Sequence, residues 1–151
     1  MSLVFPLHVL AAIVLLGGLF FASVVFRPIA RGLDVETASS LWLQMLSRLF
    51  AWGWVSLLLI LATGIAMVSL KFGGFSGVPM IHRGNMAIGI PAIALFGYVF
   101  FGPWRQYRRT ISRRHWAAAE KELTRVRVLM RIILTLGLVA SVVSAAGRYI
   151  Q

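Results

Sequence analysis

Residues 3–26 read LVFPLHVLAAIVLLGGLFFASVVF, an apolar run in which His8 is the one ionisable residue. A helix needs about 20 apolar residues to cross the roughly 30 Å hydrocarbon core of a membrane. Three further segments of this kind follow at about 49–70, 86–103 and 128–147. The run therefore predicts the first span of an all-α, polytopic membrane protein with a four-transmembrane-helix bundle.

The composition supports one membrane domain over residues 1–151. Hydrophobic residues make up 60% of the chain, charged residues 13%, and the mean hydropathy is +0.88. A soluble domain is nearer half apolar and a quarter charged. Because backbone groups in lipid must be paired within the spanning segment, helices are the expected elements. The connections between the spans are short, so we expect a single compact unit.

The basic residues are divided unequally between the two ends of the spans. Three lie between the first two spans, eight between the last two, and Arg131 at the start of the fourth span, which makes twelve of the 15 Lys and Arg residues. Loops rich in Lys and Arg stay cytoplasmic. We therefore expect both termini to be periplasmic in a bacterial inner membrane. The same topology accounts for the net charge of +11 without nucleic-acid binding. The remaining basic residues, on the predicted outer side, are Lys71, Arg83 and Arg148.

Several local signals predict where helices begin and end. Arg27-Pro28 and Gly102-Pro103 are expected to end the first and third helices, because proline disrupts a helix interior. Asp34, just before a periodic run, predicts that the second helix begins ahead of its span. A helical pattern from Trp116 leads directly into the fourth span. We expect the tryptophans to be interfacial anchors, with Trp54 the deepest candidate: Trp42, Trp52, Trp54, Trp104 and Trp116.

Ionisable residues at the outer ends of the spans are the candidates for function. Charged or ionisable groups are costly in a membrane, which makes each of them a functional hypothesis. His8 and His82 share a predicted depth, and imidazole is a common metal ligand. Met80 and Met86 place thioether sulfur near His82, and soft ligands select Cu(I). The sequence therefore predicts a copper site at the outer face.

The same two histidines could instead be the axial ligands of a b-type haem. Lys71, Arg83 and Arg148 would then be partners for the haem propionates. A third possibility is a structural or assembly protein without a cofactor, in which the histidines are interfacial. Whether the protein is an enzyme stays open, and so does a homodimer formed through glycine-rich helix faces.

Helical spacing places further polar residues on the faces expected to line the bundle. Ser56 and Thr63 share a face of the second helix with Lys71, and Ser141 and Ser144 share a face of the fourth. The chain has no cysteine, which excludes disulfides and thiolate metal sites. All acidic residues fall in the predicted cytoplasmic connections, so a carboxylate proton relay within the membrane is not expected: Asp34, Glu36, Glu120 and Glu122.

The pattern resembles the copper resistance protein D-like membrane proteins over nearly the whole chain. The residues that carry the likeness are His8 before Gly17-Gly18, Arg48-Leu49-Phe50-Ala51-Trp52, Thr63-Gly64, and His82 at the start of the third helix. This resemblance implies copper uptake into the cytoplasm. The chain is also similar to small four-helix protoporphyrinogen oxidases, which implies haem b held by a first-helix histidine and a later one. Those enzymes have a lysine close to the second histidine, whereas here Gly84 stands two residues after His82.

Overall fold

Four long helices and a short 3-10 helix, Phe75–Gly77, form the described fold. The computed structural model describes residues 3–146, and all their side chains except those of Lys71, Phe72, Phe75, Ile81 and His82. Helix α1 comprises Val4–Phe20, a π-helical segment Phe21–Phe26 and a last turn Arg27–Ala30. Helix α2 is Val35–Phe72, and α4 is Trp116–Ala146. Helix α3 joins Met80–Val99, a π-helical segment Phe100–Trp104 and Arg105–Ser112.

All four helices are long and apolar enough to cross a membrane. The prediction of an all-α four-helix bundle is confirmed, and the fold is that of a multi-pass membrane protein. Because consecutive helices alternate in direction, the connections 31–34 and 113–115 lie at one end of the bundle. We call it the arginine end. The connection 73–79 lies at the opposite end together with His8, and we call this the histidine end.

The two prolines that were expected to end helices lie within continuous helices instead. Pro28 is followed by helix to Ala30, and Pro103 by helix to Ser112. A proline ring clashes with the carbonyl four residues earlier in an α-helix. A π-helical segment precedes Pro28, and another contains Pro103. The wider turn of each segment relieves the clash. The prediction that Arg27-Pro28 and Gly102-Pro103 end helices is therefore wrong.

The predicted start of α2 is confirmed. Asp34 is extended, at φ −60° and ψ 156°, and its Oδ2 accepts a 2.9 Å hydrogen bond from the Thr37 backbone N–H. That donation lowers the pKa of the Asp34 carboxyl. The cap therefore stabilises α2 fully above the unfolded pKa of about 4 and loses this contribution as the pH falls through the lower folded value. At its other end α2 stops at Gly73, whose φ of 65° is left-handed.

The helices pack as two hairpins with an aromatic core between them. Helix α1 packs against α2 and α3 against α4, while α1 also contacts α4. The ring of Phe96 on α3 makes edge contacts with Phe50 and Trp54 on α2, each with centroids 5.5 Å apart. Trp42 and Trp104 are both 2% exposed, so they belong to this interior and the prediction that they are interfacial anchors is wrong.

Candidate functional site

His8 lies inside the α1–α2 interface at the histidine end. Its ring is half-buried, and Nδ1 lies 2.7 Å from the Thr63 hydroxyl oxygen on α2. Thr63 is itself buried, with 6% of its surface exposed. The histidine is therefore held by a hydrogen bond between two helices instead of extending freely into the headgroup region.

The hydrogen bonds around Thr63 determine which nitrogen of His8 carries the proton. The Thr63 hydroxyl donates to the carbonyl of Leu59, at 2.5 Å, with a second and longer approach to the Ile60 carbonyl. A carbonyl can only accept, so the single hydroxyl proton is used there. Thr63 must then accept from His8, whose Nδ1 carries the proton. The lone pair of a neutral imidazole is consequently left on Nε2.

An imidazole in this state is prepared to bind a metal. Histidine ligands in proteins commonly donate one ring N–H to a neighbouring acceptor, which fixes the tautomer and the ring orientation. Gly64 lies beside the ring, where a Cβ would make an ordinary 3.8 Å contact with Cε1 of His8. Thr63 thus supplies the acceptor that orients the ring.

The other predicted ligands on α3 differ in their positions. Met80 is 89% exposed at the start of the helix, whereas Met86, six residues further along it, is half-buried. Helices α1 and α3 each pack against α4. Met86 is therefore the methionine better placed for a site inside the bundle.

Arg83, a predicted propionate partner, is hydrogen-bonded to the neighbouring loop. Its Nε donates to the Val78 carbonyl at 2.9 Å, and its Nη2 donates to the Ser76 carbonyl at 3.0 Å. These two bonds fasten the connection 73–79 to the first turn of α3. The role that the structure gives Arg83 is thus to hold this loop.

Three of the predicted site residues cannot be placed. The side chains of His82 and Lys71, and the whole of Arg148, lie outside the described residues. Within the part of the chain that is described, no three His, Cys, Asp or Glu residues come together as a metal-binding group. His8 with its Thr63 partner is therefore the portion of the predicted site that has a defined geometry.

A polar contact between α3 and α4 was not predicted from the sequence. The Asn85 amide donates a 2.6 Å hydrogen bond to the Ser144 hydroxyl, which joins the two helices at the histidine end. The Asn85 side-chain oxygen is buried and has no partner among the described residues. The sequence places the Asn85 amide near His82, and Ser144 on a serine-containing face of α4. Spacing along single helices, however, does not show which helices face each other.

The fold and this histidine define a helical multi-pass membrane protein with an oriented imidazole between two spans. Comparison with protein-family models, with curated proteins and with solved structures finds no match to the chain. The argument for function therefore depends on the geometry and chemistry of the residues described above.

Proposed function

We propose that this protein binds copper at the histidine end of the bundle, with His8 and His82 as ligands and Met86 assisting. The observation that supports the proposal is the His8–Thr63 hydrogen bond, which leaves the Nε2 lone pair of a half-buried imidazole available. The role we propose is copper binding or uptake, of the kind that the copper resistance protein D-like proteins perform.

The available donor atoms favour copper over harder metals. The chain has no cysteine, and its four acidic residues lie towards the arginine end. Glu120 and Glu122 there form ion pairs with Arg127 and Arg125. Imidazole and thioether are therefore the metal-binding side chains left at the histidine end. Hard cations require oxygen ligands, whereas this set suits Cu(I).

We further propose that the histidine end faces the periplasm of a bacterial inner membrane. The excess of Lys and Arg at the opposite end supports this orientation, because such connections remain cytoplasmic. A site at the histidine end would then meet copper on the outer side of the membrane.

Cysteine labelling tests this orientation in a chain that has no native cysteine. In Ser76→Cys the exposed thiol lies in the connection 73–79, and in Ser112→Cys it lies at the arginine end. A membrane-impermeant maleimide added to intact spheroplasts should label the first variant and not the second. Lysis should make both reactive. Labelling of Ser112→Cys alone in intact spheroplasts would overturn the proposed orientation.

Replacing Thr63 with valine tests the proposed role of its hydroxyl. The variant keeps the shape of the side chain but removes the acceptor for His8 Nδ1–H, so copper affinity should fall about 10- to 100-fold. Thr135→Val is the matched control, because the Thr135 hydroxyl is exposed and bonds to the Arg131 carbonyl on α4. Competition titration with a Cu(I) chelator measures both affinities. An equal affinity in the two variants would contradict the role assigned to Thr63.

A further inference from the structure

A shallow groove lies near the arginine end, where α1, α2 and α4 meet. It is lined by Ser23 and Arg27 from α1, by Arg127 and Arg131 from α4, and by the buried Trp42 of α2. Arg27 directly follows the apolar run 3–26. The groove therefore lies at the depth where a spanning helix leaves the hydrocarbon and meets lipid headgroups.

One donor in this groove lacks an acceptor. Arg27 is half-buried, and its Nε is buried without a hydrogen-bond partner in the part of the chain that the structure describes. A buried charged donor that is left unpaired is costly, so such a group normally has a partner. Ser23 lines the same groove. The groove is closed around Nε in the structure, so an anionic oxygen would satisfy this donor once the Arg27 side chain shifts to admit it.

The charge in the groove is also uncompensated. The Arg27 guanidinium lies close enough to Arg31, Arg127 and Arg131 to be repelled by each of them. Arg127 has its own acid, Glu120, and lies over the Trp42 ring with its Cζ 5.6 Å from the centroid. Arg27 and Arg131 form no ion pair within residues 3–146. Two guanidinium groups are thus left without a counter-charge.

We infer that this groove binds a phosphate group through Arg27 and Arg131, with the Ser23 hydroxyl beside them. Guanidinium groups match the oxygens of phosphate in geometry, and charge-assisted hydrogen bonds to them are strong. The phosphate of an anionic lipid headgroup is present at this depth in a membrane, and a soluble phosphate could reach the same end of the bundle. Both sources present the same phosphate oxygens to the groove, so the experiment must distinguish lipid phosphate from soluble phosphate.

Thermal unfolding of the delipidated full chain in neutral detergent provides the test. Phosphatidylglycerol, an uncharged glycolipid and inorganic phosphate are each titrated, because a ligand that binds the folded state raises its midpoint. The variant is Arg27→Gln/Arg131→Gln. The control, Arg108→Gln/Arg109→Gln, removes the same charge from exposed positions on α3. Arg131→Gln alone, at an exposed position on α4, keeps the test possible if the double variant does not fold.

We expect a saturable rise with phosphatidylglycerol and none with the glycolipid. The concentration for half of this rise should increase about tenfold or more in the Arg27/Arg131 variant, since each lost charge-assisted bond is worth about one decade or more. The control should behave as the wild type. The same pattern with inorganic phosphate would support the site and assign it to a soluble source. An equal loss in the control, or an equal response to the glycolipid, would overturn the proposal.

Discussion

His8→Ala is expected to reduce bound copper from about one ion per chain to background, because it removes the one ligand whose geometry is defined. His115→Ala is the matched control. His115 is exposed beside the arginine end, in the connection between α3 and α4, where it lies away from the proposed site. Metal analysis after dialysis against a weak chelator measures both variants. The control should retain the copper content of the wild type.

The physical reason is the orientation of the imidazole. In wild-type protein the Thr63 oxygen accepts the Nδ1 proton, so the neutral imidazole carries its lone pair on Nε2 and the ring is already oriented before a metal arrives. Alanine removes this donor and leaves Thr63 with its carbonyl bonds on α2. Copper that remains at the wild-type level in His8→Ala would show that the ion is held elsewhere in the chain.

Gly53→Ala is expected to destabilise the bundle strongly. A Cβ at Gly53 would lie 2.6 Å from Cζ and 3.1 Å from Cε2 of Phe96. The Phe96 ring is 1% exposed and is fixed by edge contacts with Phe50 and Trp54, so it cannot turn aside. Overpacking of this kind costs about 1–3 kcal/mol in the free energy of unfolding.

Gly64→Ala is the control for this variant. Both glycines lie within α2, so the gain in helix propensity from alanine, about 1 kcal/mol, is common to the two changes. The Cβ at Gly64 makes an ordinary 3.8 Å contact with His8. Denaturant unfolding in the same detergent should therefore give a lower midpoint for Gly53→Ala than for Gly64→Ala. Equal midpoints would contradict the tight α2–α3 packing.

Much of the fold can be predicted from the sequence because the membrane limits the possibilities. Apolar runs of about 20 residues predict spanning helices, and the structure has four helices that meet this description. Asp34 also predicts its helix start correctly, since a side chain that caps a helix acts within four residues of it. These features depend on local sequence and on the surrounding solvent, and both can be inferred before any tertiary contact is known.

The errors concern features that depend on tertiary packing. In the sequence, Pro28 and Pro103 predict helix ends. In the bundle the helices continue past both prolines, because π-helical segments relieve the clash of each proline ring with the preceding turn. The positions of Trp42 and Trp104 in the sequence predict interfacial anchors. The structure buries both of them because facing helices provide aromatic and cationic partners, Phe26 and Arg127 for Trp42 and Phe50 for Trp104. Tyr107, on the same helix as Trp104, packs against it as well.

The candidate site was predicted in part. His8 could be singled out as an ionisable residue at the end of a span, and Thr63 could be placed on an inward face of α2. The contact between the two residues could not be predicted, because they are 55 positions apart in the sequence. Predicting it requires the rotation and relative height of the two helices that carry them. The structure adds this contact, which orients the His8 imidazole between α1 and α2.

One measurement tests the central claim most directly. It is a metal analysis of the detergent-purified protein, combined with ultraviolet–visible spectra of the oxidised and the dithionite-reduced sample. We expect about one copper ion per chain and no Soret band, because Cu(I) bound by imidazole and thioether contains no porphyrin. A Soret band that shifts on reduction would contradict copper and identify a haem protein. Neither metal nor pigment, even after reconstitution with Cu(I), would contradict the proposed site itself.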